Sequence, residues 1–201
     1  MGLSGGKYER KIMGLHPYWI SVLAIGAFTG MRSMGGRLIN WDYLGWEVVF
    51  PFYAAIMTGE CVKTRSDPMF EVIEAQSESL FRWIFRRYLY VFVAIGAFAG
   101  LGILLGRAVN PGPSFGELGF VYLATAFFLS SFVILGSLFT KSAHMAVAAV
   151  GVYWLFSLLA RSLLRFSFVA YIYPFLRFAD ESSPLWPLNQ CILIGMGLAM
   201  W

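Results

Sequence analysis

Residues 88–105 read YLYVFVAIGAFAGLGILL, a run with no charge anywhere inside it. About 20 mostly apolar residues are needed to cross a hydrocarbon layer about 30 Å thick, so this stretch predicts a membrane-spanning helix. Leu118–Phe139 is equally clean. Leu15–Met34 and Leu44–Val62 are weaker, the first with Arg32 near its end and the second with Glu47 and Glu60 near opposite ends. A charge at the bilayer centre costs about 2.5–3.5 kcal/mol, against about 0.3–0.6 returned by each Leu, Ile, Phe or Val. Those charges are therefore expected where they can reach the headgroups.

Composition agrees. The 201 residues are 59% hydrophobic, 18% aromatic and 13% charged, whereas a soluble domain carries about 25% charged residues. A soluble fold would have to expose large apolar patches; lipid removes the conflict. The formal charge of +4 is modest and not gathered in one long run, which suits anionic headgroups and argues against nucleic acid. Cys61 and Cys191 lie far apart, fit no metal-ligand pattern and are not expected to pair. Lys7, Arg10 and Lys11 precede the first apolar stretch without a convincing small-residue cleavage site, so the reading is a retained first helix behind a basic amphipathic segment.

The fifth apolar region, Met145–Phe178, is interrupted by Arg161 and Arg165, which share a face in an α-helix. The spanning helix is expected to end near Arg165. Phe166–Phe178, broken at Pro174, then forms a re-entrant or interfacial hairpin, tolerated where protein covers its backbone. A last helix follows Pro184 and Pro187 over Leu188–Trp201; it is short, and further C-terminal sequence is expected. The fold class is thus an all-α integral membrane protein, one domain over 1–201 with six transmembrane helices at about 15–34, 44–62, 88–105, 118–139, 145–165 and 188–201. Placing the N-terminus in the cytoplasm puts nine Lys and Arg residues inside (Lys7, Arg10, Lys11, Lys63, Arg65, Arg82, Arg86, Arg87, Lys141) against six outside (Arg32, Arg37, Arg107, Arg161, Arg165, Arg177), the sense of the positive-inside rule. Trp41, Trp46 and Trp186 then belong to an outer aromatic belt, and Trp19 and Trp83 to an inner one.

The loop Lys63–Arg87, KTRSDPMFEVIEAQSESLFRWIFRR, is the most informative. Asp67-Pro68 is a good helix start. Apolar Phe70, Ile73, Leu80 and Ile84 recur at helical spacing beside a second stripe of Glu71, Glu74 and Glu78. Acids lead and bases follow, which complements the helix dipole. One reading is an amphipathic helix lying on the inner membrane face. The other is a docking element for a cytoplasmic protein, which the glutamates favour because interfacial helices prefer Lys and Arg.

At this loop the sequence resembles the permease subunits of ABC transporters of the ABC-2 type. Their loop after the second helix has a pattern similar to R-x-x-G-T-x-E, then apolar residues, a Pro and a basic start to the third helix. Arg65, Phe70, Glu71, Val72, Ile73 and Arg86-Arg87 fit it; Pro68 stands where Gly is expected, Met69 where Thr is, and Ser77 where Pro is. The six-helix layout, basic N-terminus and broken hairpin extend the resemblance over nearly the whole chain. It implies a permease subunit, an exporter, in a bacterial plasma (inner) membrane. ATP and Mg would be held by a separate ATP-binding cassette subunit, with a second permease copy or related chain completing the path. Coupling would pass through Met69, Phe70, Glu71, Val72, Ile73, Glu74 and Glu78, with Lys141 and His144 as further cytoplasmic contacts. Arg161 and Arg165 would meet substrate or lipid headgroups. No cofactor, metal or catalytic residue is expected in this chain: it has no G-x-x-x-x-G-K-[ST], H-E-x-x-H or G-x-S-x-G pattern. A secondary transporter or channel, or a membrane scaffold or enzyme, is the alternative. Gly26-x-x-x-Gly30, Gly96-x-x-x-Gly100 and Gly102-x-x-x-Gly106 are read as helix-packing positions.

Overall fold

The computed structural model describes residues 16–33, 41–62, 80–109 and 112–201. The basic N-terminal segment and the coupling segment Met69–Glu78 lie outside the described residues. Those described form helices and no strands: α1 (His16–Ser33), α2 (Trp41–Tyr43), a π-helical turn (Leu44–Val49), α3 (Phe50–Cys61), α4 (Leu80–Val109), α5 (Phe115–Thr140), α6 (Ala143–Leu159), a 3-10 segment (Ala160–Arg165), α7 (Ser167–Ile172), α8 (Leu176–Ala179) and α9 (Trp186–Ala199). Three helices are long and apolar enough to cross a membrane: Ile84–Val109, Phe115–Thr140 and Ala143–Arg165. This is the architecture of a helical membrane protein. Of the six expected crossings, three meet that criterion among the described residues. α9, with 14 residues, reaches only about 21 Å at the α-helical rise.

α5 is the hub, packed by α3, α6 and α9. Its buried residues run from Leu118 to Ile134 and include Tyr122, Thr125, Ser130 and Ser131, so it is enclosed nearly all round instead of along one stripe. Ser114 caps its start by accepting from the Glu117 N–H at 3.1 Å, the first half of a capping box. α5 ends at Lys141, which takes a left-handed φ of 54° and turns the chain into α6, capped by Ser142. Hydroxyls inside the bundle bond back along their own helices: Thr58 donates to the Ala54 carbonyl at 2.9 Å and Ser131 to that of Phe127 at 2.8 Å. That is how polar side chains are satisfied without water.

α4 lies against α1 and α3 and less closely on α5. At Gly102 an added side chain would strike the Trp46 ring, so this glycine is what lets the indole lie flat against α4. A Cβ added at Gly26, Gly30 or Gly96 would meet no described atom of another element within 4 Å, so among the described residues these positions do not depend on glycine for a close approach. Trp46 itself is buried, with its ring 4.6 Å from Phe50. It is a core residue, not the interfacial belt residue its sequence position suggests. Cys61 is buried, Cys191 is exposed, and no disulfide joins them.

Connectivity gives the bundle two ends. Cys61, Leu80, Lys141 and Trp201 share the end at which the 63–79 loop leaves: Gly59 lies against Val147, and Trp201 packs edge-on against Phe81 and Phe85. Tyr43, Glu117, the 3-10 segment and α7–α8 share the other.

Candidate functional site

At that second end the chain between Ala160 and Ser183 folds into a broken hairpin whose tip is buried inside the bundle. Pro174 interrupts it, because its ring can neither donate nor continue the preceding helix. Tyr173, Phe175, Leu176 and Ala179 pack with Val48 and Ala170, flanked by Trp154, Leu158 and Trp186. Four residues, the length of α8, are far too few to hold a helix by themselves. Its stability has to come from outside, and the hydrogen bonds show where.

Glu47 supplies the N-terminal half. The backbone N–H of Arg177 donates to its Oε1 at 3.1 Å and that of Phe178 to its Oε2 at 2.5 Å. These are first-turn amides of α8, which no residue of their own helix can satisfy. Gln190 Nε2 adds a longer contact of 3.5 Å to Oε1. Glu47 is fully buried, so it is an N-cap supplied from another element, placed where an acid is favoured by the helix dipole. The expectation that this carboxyl reaches the headgroups is replaced by an inward role. The π turn helps aim it: the Phe50 N–H bonds Gly45 O five residues back, and the Val48 carbonyl takes the Trp154 indole N–H at 2.9 Å. Such π turns concentrate at functional sites.

Arg161 supplies the C-terminal half, donating from Nη2 to the Ala179 carbonyl, the last of α8. A cation at a helix C-terminus is the electrostatic complement of Glu47 at the start. Arg161 and Arg165 lie in the 3-10 segment, where three residues per turn set i and i+4 about 120° apart. They therefore do not share the face that an α-helix would give them. Asn189 treats α7 likewise, donating from Nδ2 to the carbonyls of Ala170 at 2.9 Å and Tyr173 at 3.0 Å. Thr125 donates to Pro174 O at 3.3 Å, and the Tyr173 hydroxyl to Ser157 O at 2.7 Å. Burial pushes the Tyr173 phenol up to about 12, which keeps it a neutral donor. Leaving a buried amide unpaired costs about 1–3 kcal/mol, so each of these side chains stabilises the hairpin by more than its contact area.

Around this clamp sits an ion-pair cluster. Arg177 pairs with Glu117, whose Oε1 also accepts from the Tyr43 hydroxyl at 2.5 Å. The guanidinium lies 5.0 Å from the Tyr43 ring centre and 5.2 Å from that of Trp186. Burial of Arg177 works against its charge more than any single contact favours it, but the hydrogen bonds and charges of Glu117 and Tyr43 together outweigh it and raise the pKa above the ordinary arginine value. One side chain thus ties the hairpin to α2, α5 and the start of α9.

At the loop end the picture is different. Lys141 and His144, three positions apart, are exposed, and Arg82 and Arg86 at the start of α4 are exposed as well. The coupling residues Met69, Phe70, Glu71, Val72, Ile73, Glu74 and Glu78 are outside the described residues. Of the residues singled out in the sequence, then, Lys141 and His144 lie at one end and Arg161 and Arg165 at the other. Glu117, Arg177, Asn189 and Gln190 were not singled out, though an Asn-Gln pair inside an apolar helix is itself a signal, since buried polar side chains there must find partners. Among the described residues no three His, Cys, Asp or Glu side chains group as a metal site. The chain matches no protein-family model, no curated protein and no solved structure.

Proposed function

We propose that this chain is the permease subunit of an ABC-type exporter, moved by a separate ATPase subunit that grips the 63–79 loop. The observation that carries this reading is where that loop is attached. It joins α3, whose main neighbour is the hub helix α5, to α4, whose main neighbour is α1. A force on the loop therefore acts across the seam between two packing layers, while the hairpin end stays pinned by Glu47, Arg161 and Asn189. The motif-like run from Arg65 to Ile73 and the exposed Lys141 and His144 beside the same end support it further. The chain would lie in a bacterial plasma membrane with six crossings and a cytoplasmic N-terminus, and a second copy or related chain would complete the path. A partner can drive such a change only by binding the two conformations with different affinity. Purification in mild detergent tests it: a soluble P-loop ATPase should accompany the wild-type chain, and its absence contradicts the reading.

One observation favours a second reading. Glu47 is a fully buried carboxyl in an apolar bundle, the kind of group that proton-coupled carriers place along their pathway. Its position about one turn beyond Tyr43, near the bundle end, and its engagement by fixed amides favour the capping role. Proton-dependent flux by the purified chain without ATP, abolished in Glu47→Gln, would establish the carrier instead.

A further inference from the structure

The last turn of α6, the 3-10 segment and α7 form one continuous stretch, LARSLLRFSFVAYI over 159–172, with two arginines and no acidic residue. One side of it faces the bundle: Ala170, Leu164 and Val169 belong to the packing around the hairpin tip. The other side exposes large apolar groups, Leu159 at 83%, Phe168 at 67% and Phe166 at 57%, together with Leu163 and Ile172. The rings of Phe166 and Phe168 stand 6.2 Å apart. Arg165 lies in the middle of this row, exposed, at the last residue of the membrane-length helix Ala143–Arg165. Arg161 has its guanidinium on the Ala179 carbonyl, and the 3-10 geometry sends the two arginines in different directions.

We infer that residues 159–172 form a foot in the headgroup layer of the leaflet at the hairpin end. Arg165 selects anionic phospholipid there, while Arg161, also exposed, is held on the Ala179 carbonyl. The apolar row commits the occupant. Aromatic and aliphatic side chains on one face, with an interleaved cation and no acid, are the composition of an interfacial segment. The end of an apolar span sets Arg165 at the depth of the phosphates. A guanidinium binds a phosphate through two parallel N–H donors. This inference needs the chain to lie in a bilayer but not the ATPase-coupled reading.

The test uses the full chain in nanodiscs of phosphatidylcholine with about 30% phosphatidylglycerol, an anionic lipid. The lipids retained after mild extraction are measured for wild type, Arg165→Gln, Arg165→Lys and Arg161→Gln. Wild type should retain phosphatidylglycerol about fivefold over its bulk ratio, the effect of one arginine near a charged surface. Arg165→Gln should lose most of that enrichment, down to what the other exposed basic residues hold, Arg165→Lys should keep most of it, and Arg161→Gln should keep it while the protein melts at lower temperature. Enrichment unchanged in Arg165→Gln would overturn the assignment. So would an equal loss in Arg161→Gln, or displacement of the lipid by millimolar glycerol phosphate, which would mark a site for a soluble anion.

Discussion

The two ends of the bundle differ in what their polar residues hold. At the hairpin end Glu47 and Asn189 are buried and turned onto backbone, on two amides of α8 and on the Ala170 and Tyr173 carbonyls, while Arg161, an exposed residue, reaches the last carbonyl of α8. At the loop end Lys141, His144, Arg82 and Arg86 are exposed. Inward-facing polar groups in an apolar bundle fix one geometry, because any displacement strands a buried donor or acceptor. Outward-facing ones cost less to move, because water or headgroups can replace a lost partner. The difference marks the hairpin end as the anchored one, and the proposed function gives engagement to the other.

The largest effect should come from the loop. Reversing Glu71 and Glu74 to Lys should lower ATP-driven transport about tenfold or more, since like charges brought together across an interface cost several kcal/mol, while membrane insertion is unchanged. Transport and insertion assays check this, and unaltered transport would remove the engaging role. At the other end Glu47→Ala should destabilise the chain by about 2–5 kcal/mol, because two buried amides lose their acceptor. Glu47→Gln, which keeps one acceptor oxygen, should cost less. Thermal unfolding in detergent measures both, and a thiol placed at the buried Ala179 should label faster in Glu47→Ala. Asn189→Ala follows at about 1–2 kcal/mol, the worth of a cap.

Gly102→Leu, which drives a side chain into Trp46, should cost about 1–3 kcal/mol by overpacking, whereas Gly26→Ala should be near neutral. The smallest change separates the two roles at a single residue. Lys141 holds a left-handed φ, so Lys141→Gly should stabilise by about 0.5–1 kcal/mol. If transport nevertheless falls, the lysine charge is used by a partner.

The helical class could be read directly, because an uncharged run such as 88–105 has few other solutions. The helix break at Pro174 and the start of the last helix at Pro187 were visible. What could not be read was where the polar residues go. Glu47 and Phe178 are 131 positions apart, and nothing local says that a carboxyl in one apolar segment will cap a four-residue helix near the other end of the chain. Arg161 and Arg165 would share one face because i and i+4 coincide in an α-helix; the 3-10 winding separates them. Trp46 was read as an interfacial residue from its distance to a helix end, and Gly102, across the bundle, is what admits it to the core.

The most direct test places a photo-crosslinking residue at Phe70 in the full chain in native membranes. If the loop is the engaging element, irradiation should yield one dominant protein adduct, a nucleotide-binding subunit, and Glu71→Lys should abolish it. Adducts to lipid alone, or to the outside of the cell, would mean that the loop lies on or across the membrane and that no ATPase is held there.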